Sequence, residues 1–310
     1  MKKYRIFIDG SNGTTGLEIR KRLLNRDDID LINLQEEERK DLFARKDLVV
    51  NSDLSILCLP EEASRELVIE VKGQGRILDA SSGHRTNPNW VYGLPELVSG
   101  QRQKIGSSSR VCIPGCHASG FILMVRPLIE KQVLNPQNIL SCFSLTGYSG
   151  GGKSMIKDYE EMKDSSLESP GLYGLDQNHK HLPEMRIMAK LENSPVFIPI
   201  VANYYRGMVV TLPLQAKLGN GDLSKEELLN TYKEYYKDEP LIEIKECEKF
   251  NIYGNEKAGK DGLCIYVYGS QDNPLVSAVF DNLGKGASGA GVQCMNLMLG
   301  IKEMTGLFIE

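Results

Sequence analysis

The opening of the chain constrains its fold more than any other part. Tyr4 to Ile8 is a short β run that ends in Asp9-Gly10. Gly10-Ser11-Asn12-Gly13-Thr14-Thr15-Gly16 follows, and Leu17 to Leu24 then shows helical apolar spacing. Strand, glycine turn and helix in this order open a dinucleotide-binding unit. Gly10 permits the tight turn, Gly13 lets the backbone approach a pyrophosphate, and Gly16 allows close helix–strand packing. Ser11, Asn12, Thr14 and Thr15 add hydrogen-bonding groups suited to phosphate. The spacing is GxxGxxG rather than GxGxxG, so a glycine turn without nucleotide stays open on these residues alone.

The alternation continues beyond this turn. Asp30–Leu34, Leu54–Leu59 and Arg76–Ala80 read as strands, and Glu62–Val71 as a helix. Leu54–Leu59 is apolar on both faces, as a central parallel strand is. This order predicts an α/β fold, a Rossmann-type doubly wound parallel sheet. Past the second strand, an acid would suit the ribose of NAD and a base the 2′-phosphate of NADP. Gln35-Glu36-Glu37-Glu38-Arg39-Lys40 holds both, which leaves the choice open.

The pattern changes at Cys116. It follows Pro114-Gly115 and precedes the apolar run Phe121–Leu128, so it lies near the first turn of a helix. The N–H groups and dipole at that end favour thiolate over thiol. The position suits a nucleophile that attacks an activated acyl group. His117 is expected to point elsewhere on the helix and to be incidental. Gln137–Leu145, Phe197–Tyr204, Met208–Ala216, Leu263–Gly269 and Pro274–Asp281 read as strands. Ser224–Tyr236 reads as a helix that starts in a capping box, Ser224-Lys225-Glu226-Glu227. Residues 154–195 are helix-poor by pattern, except Glu184–Leu191. These elements predict an α+β second domain. Gly284 to Gly291 then opens an apolar helix, Val292–Met304.

Two polar clusters stand out. His179 and His181 flank Lys180 just before Leu182-Pro183-Glu184, and a histidine suits proton transfer near neutral pH. HxH is also a metal-ligand spacing, but no Cys/His/Asp set completes it nearby in the sequence, so no metal is expected. Ser82-Gly83-His84-Arg85 ends a parallel strand on the edge where ligands bind, and Arg85 or Arg110 suits an anionic substrate group.

Composition excludes several classes. A chain of 310 residues suits two domains. A net charge of −4 provides no basic field for nucleic acid. No run approaches the roughly 20 apolar residues that span a bilayer. Met1-Lys2-Lys3-Tyr4-Arg5 leads into an apolar stretch too short for a secretory signal, so a cytoplasmic protein is expected. The seven cysteines are scattered without a CxxC pair, against a disulfide framework or zinc cluster. Cys58 and Cys264 lie in buried strand patterns and are expected to be inert.

Five segments in order resemble the N-acetyl-γ-glutamyl-phosphate reductase family, in its shorter type 2 form, over nearly the whole chain. They are Asp79-Ala80-Ser81-Ser82-Gly83-His84-Arg85-Thr86, Ile113-Pro114-Gly115-Cys116-His117-Ala118, Thr146-Gly147-Tyr148-Ser149-Gly150-Gly151-Gly152-Lys153, His179-Lys180-His181-Leu182-Pro183-Glu184, and Asp281-Asn282-Leu283-Gly284-Lys285-Gly286-Ala287-Ser288-Gly289-Ala290. The resemblance implies a nucleotide domain over 1–115, an α+β substrate and dimerisation domain over 116–282, and a C-terminal helix over 283–310 that returns to the first domain. It implies that Cys116 forms a thioester with the γ-acyl group of N-acetylglutamyl phosphate and that NADP(H) reduces it to the semialdehyde. His181 would handle protons. Arg39 or Lys40 would meet the 2′-phosphate, and Ser81, Asn282 and Gly286 the cofactor. Arg85, Arg110, Tyr148, Ser149, Gly150 and Glu184 would meet the substrate. A homo-oligomer is implied. The alternatives are an aspartate-semialdehyde dehydrogenase-like enzyme and a non-catalytic nucleotide sensor of the same fold. Ile113 stands where the family commonly has Asn, and Cys294 also where Asn is expected.

Overall fold

The computed structural model describes residues 3–35, 37–161, 164–219 and 223–309. Glu36 of the acidic run lies outside them. The chain forms two compact units. The first is Met1–Pro114 with Ala287–Leu307, and the second is Gly115–Gly286 with Phe308–Glu310.

In the first unit the elements are β1 (Tyr4–Asp9), α1 (Thr14–Leu23), β2 (Ile29–Ile32), α2 (Leu42–Val50), β3 (Leu54–Leu57), α3 (Glu61–Glu70), β4 (Ile77–Asp79), β5 (Val91–Tyr92), α4 (Gln101–Ser107) and β6 (Arg110–Cys112). The sheet order is β2-β1-β3-β4-β6-β5, and its paired strands run parallel. The chain leaves β1 towards β2 on one side and then continues at β3 on the other. That reversal opens a crevice at the carboxyl ends of β1 and β3, where ligands bind in such sheets. Ile6, Ile8, Ile19, Leu54, Ile56 and Val111 pack in one core, and each buried side chain of this size contributes about 1.5–3 kcal/mol.

The second unit holds α5 (Cys116–Glu130), β7 (Ser141–Gly147), α6 (Gly152–Glu160), β8 (Gly171–Leu172), α7 (Leu182–Met188), β9 (Val196–Ala202), β10 (Met208–Pro213), α8 (Lys225–Tyr235), β11 (Ile242–Glu246), β12 (Leu263–Gly269) and β13 (Pro274–Phe280). Its mixed sheet runs β11-β12-β13-β10-β7-β9-β8. α5 is buried from His117 to Ile129 and packs on β10, β13, α7 and α8. A helix apolar almost all round must lie inside. A π-helical turn over Gly284–Ser288 precedes α9 (Gly289–Leu299), which belongs to the first unit.

Several elements differ from the sequence reading. β7 starts at Ser141 because Asn135 Oδ1 accepts the Gln137 N–H at 2.9 Å and holds a turn there. α9 ends at Leu299 rather than Met304, since Gly300 adopts φ +70° and closes the helix. The stretch expected to be helix-poor begins with α6, whose Met155, Ile156 and Tyr159 form one apolar stripe behind a glycine triplet. α2 was hidden by the charged run before it. Asp41 Oδ1 caps it by accepting the Phe43 and Ala44 N–H groups at 2.8 and 3.3 Å. Ser224 caps α8, its Oγ accepting the Glu227 N–H at 3.1 Å, which is one half of the expected capping box.

Candidate active site

The glycine turn lies at the crevice of the first unit. Gly10 has φ +78°, and a side chain there would run into the Cys58 carbonyl. α1 starts at Thr14 behind Gly13, with no side-chain cap among the described residues and no acid in its first turn. The N–H groups of its first turn therefore face outward, as an anion requires. Thr14 Oγ1 is buried and has no hydrogen-bond partner among the described residues. Beside the turn is a cavity of about 290 Å³, lined by Gly10, Ser11, Asn12, Arg20, Asn33 and Arg39 among others. An uncapped helix start, an orphaned hydroxyl and two arginines beside the cavity fit a dinucleotide phosphate.

Other candidates of this unit act on the fold. Ser81 donates its hydroxyl to Asp79 Oδ2 at 2.7 Å and its N–H to Oδ1 at 2.9 Å, so it braces the loop after β4. His84 meets the same carboxylate at 2.6 Å and stacks on Trp90 with centroids 4.1 Å apart. Arg85 Nε donates to the Ile113 carbonyl at 3.0 Å and Nη2 to that of Ala80 at 3.2 Å, clamping the ends of β4 and β6. Arg110 corrects the expectation of a substrate contact. It pairs with Ile77 at the amino end of β4, the edge opposite the crevice. Its guanidinium donates to the carbonyls of Gly75, Gln74 and Ser109 at 2.6–2.9 Å. Ile113 is buried in the first core and packs on Gly291 of α9, which favours an apolar side chain over the family's amide. Cys294 is buried too and donates its thiol to the Gly93 carbonyl at 3.3 Å.

The second unit gathers the chemistry. Cys116 is the first residue of α5, behind the extended Gly115, again with no side-chain cap among the described residues and no acid in the first turn. It is half-buried. Glu184 Oε2 accepts the Gly115 N–H at 3.1 Å, and its Oε1 lies 3.9 Å from His181 Nε2. A side chain at position 115 would strike both His181 and Glu184, so glycine is the residue that admits them. A Cβ at Gly286 would meet that of Cys116 at 2.8 Å. Ligand atoms of Cys116, His117 and His181 all lie within 4.8 Å of one another.

His117 is not incidental. Alternation along β7 buries Ser144 on the α5 side, where its Oγ meets His117 Nδ1 at 2.6 Å. Tyr173 hydroxyl meets Nε2 at 2.8 Å. Burial, followed by the charges of His179 and Lys180, pushes His117 down to about 3, so it is neutral at pH 7. The rings of His117, His179 and His181 lie 4.7–5.7 Å apart around Phe197. The sequence reading found no set to complete HxH because Cys116 and His117 are distant in sequence. Tyr173 and Ser144 were also missed, and only the inward register of β7 carried a signal.

Asn282 holds two loops of its unit together. Its Nδ2 donates to Ser149 Oγ at 2.9 Å and its Oδ1 accepts the Gly207 N–H at 2.7 Å. The buried amide ties the Tyr148–Gly150 loop to Gly207. Tyr148 stacks on Tyr159 at 4.8 Å and meets Tyr205 edge-on at 5.6 Å. Asp281 anchors the same region, accepting from Arg206 Nε at 2.6 Å, from the Leu283 N–H at 2.8 Å and from the Gly259 N–H.

Residues 5–105 match the semialdehyde dehydrogenase NAD-binding domain, and residues 116–282 match the semialdehyde dehydrogenase dimerisation domain. A Brucella ovis protein named N-acetyl-gamma-glutamyl-phosphate reductase is 41% identical over 308 residues, covering 96% of this chain and 99% of that one. The chain belongs to the semialdehyde dehydrogenase family, among the N-acetyl-gamma-glutamyl-phosphate reductases. The family's fold extends to more distant structures. An aspartate semialdehyde dehydrogenase from Francisella tularensis superposes with a TM-score of 0.74 at 14% identity, covering 96% of this chain and all of that one. One from Candida albicans, solved with NADP, gives 0.69 at 13% identity, covering 96% and 98%. Among the described residues no helix is long and apolar enough to cross a membrane.

Proposed function

We propose that this chain reduces N-acetyl-L-glutamyl 5-phosphate with NADPH to N-acetyl-L-glutamate 5-semialdehyde and phosphate, a step of arginine biosynthesis. The observation that carries the reading is Cys116 at an open helix start with the His181 imidazole beside it, in a chain that matches a reductase along its length.

Cys116 attacks the acyl carbon, the carbon–oxygen bond to phosphate breaks, and phosphate leaves with that bond's electron pair. The first-turn N–H groups of α5 stabilise the negative charge of the attacking sulfur. NADPH, when bound, would supply the hydride that reduces the thioester. His181 takes the thiol proton at the first step and returns a proton to oxygen or sulfur as the aldehyde is released. Glu184 is a positioning residue, because it fixes Gly115 and faces His181. Tyr148, Ser149 and Gly150 line the path of the acyl chain. Gly10 to Gly16 would hold the pyrophosphate, and Arg39, which lines the same cavity, would meet the 2′-phosphate.

The dimerisation-domain match and one sheet face support a homo-oligomer. That face carries a cavity of about 380 Å³ lined by Phe143, Leu145, Ile200 and Val209 among others, and Phe143 is exposed. Phe143→Lys should lower the mass seen by light scattering, and an unchanged mass removes this face from the interface.

The deciding assay runs the reaction backwards, with NADP, phosphate and either N-acetylglutamate semialdehyde or aspartate semialdehyde. The acetylated substrate should be used at least about 100-fold faster, the scale on which a pocket separates substrates that differ in bulk. Preference for aspartate semialdehyde sinks the assignment, and no turnover with either points to the nucleotide-sensor alternative.

A further inference from the structure

We infer that Cys116, His117 and His181 form a binding site for one thiophilic d¹⁰ cation, zinc being the probe. The donor set is one thiolate and two imidazoles, the chemistry that selects zinc or copper(I) over magnesium and calcium. Their ligand atoms lie within 4.8 Å of one another. Tetrahedral zinc, with bonds near 2.0–2.3 Å, needs sulfur and nitrogen about 3.5 Å apart. Closing that gap takes about 1 Å, within reach of side-chain rotation.

Three further features favour the site. His117 and His181 are buried, so little ordering is left to lose on binding. Both nitrogens of His117 meet a hydroxyl, so coordination displaces Ser144 or Tyr173 from one and leaves the other hydroxyl as the orienting partner that metal-bound histidines require. The buried Glu184 carboxylate lies 3.9 Å from the His181 ring, and with the thiolate it balances a divalent charge. Binding sends the Cys116 proton to solvent and leaves a fourth position for water. Resting on the proposed function, the consequence is a reversible block: a sulfur held by metal cannot attack an acyl phosphate.

The full chain, reduced with a non-chelating phosphine, is titrated with cobalt(II) and then zinc. Cobalt should bind one per chain with a sulfur-to-metal charge-transfer band and tetrahedral d–d bands, and zinc should displace it. Zinc should also block alkylation of Cys116, with full recovery on chelation. His117→Ala and His181→Ala should each weaken zinc about 100-fold or more. Undiminished affinity in both variants, or an octahedral spectrum without the sulfur band, overturns the site. Should either variant fail to fold, X-ray absorption of the zinc-loaded native chain decides by itself: one sulfur with two imidazoles supports the site, and sulfur without imidazole refutes it. Zinc binding by a chain that turns over no acyl phosphate supports the site and fails the functional reading. Turnover without zinc binding does the opposite.

Discussion

α1 and α5 use one device for two different anions. Each starts behind an extended glycine, Gly13 or Gly115, with no side-chain cap among the described residues and no acid in the first turn. α2 and α8, by contrast, are closed by Asp41 and Ser224. At α1 the open end faces a cavity and an orphaned Thr14 hydroxyl, so it suits an anion that comes and goes. At α5 the chain supplies its own nucleophile, Cys116, and surrounds it with buried side chains. On the proposed function, an open helix start is thus a binding site or a catalytic one, depending on what the fold places in front of it. The α1 site is built largely from backbone, which sequence writes as glycine spacing. The α5 site is built from side chains that meet only after folding.

The comparison breaks hardest at the sulfur. Cys116→Ser should lower turnover at least about 1,000-fold while NADPH affinity, read by calorimetry, stays within about twofold. Full turnover would end the parallel between the two helix starts. Next is the support behind the cysteine. Glu184→Ala leaves the Gly115 N–H without its partner, a cost of about 1–3 kcal/mol. It should reduce kcat about 10- to 100-fold without changing NADPH affinity, and Glu184→Gln should restore part of the loss.

On the other side, Gly10→Ala forces φ +78° on a side chain and a clash with the Cys58 carbonyl. It should weaken NADPH at least about tenfold, a change of about 1.4 kcal/mol, while Cys116 alkylates at its usual rate. An equal loss at both sites would show that the two are not separable. Arg39→Gln should narrow the preference for NADPH over NADH by up to about tenfold, read as a ratio of KM values. An unchanged ratio moves the 2′-phosphate to Arg20, which lines the same cavity. The smallest effect belongs to the other thiols. Burial pushes Cys58 up to about 12 and Cys264 up to about 11, so at pH 8 only about one in a thousand or fewer is thiolate. Mass spectrometry after brief alkylation at that pH should find Cys116 labelled and those two untouched.

Much of the first unit was legible because its signals are local. β1, the glycine turn and α1 follow one another without interruption, and period and punctuation are enough to read them. Boundaries slipped where a side chain rather than periodicity decided, as Asn135 does before β7. Arg110 was misjudged because a strand's two ends look alike in sequence, while only its carboxyl end faces the crevice. Asn282 reads as a ligand from its segment alone, and only the fold shows that its side chain ties Ser149 to Gly207.

By itself, the sequence determined an α/β chain with a nucleotide turn at its start and a cysteine at the head of a buried helix, since each depends on residues a few positions apart. The tertiary structure decided what surrounds that cysteine. His117 and His181 stand 64 positions apart along the chain, and a β-sheet register together with the packing of α7 on α5 brings their rings to 5.3 Å. Such distances follow from the packing of the whole core, which no short stretch of sequence encodes.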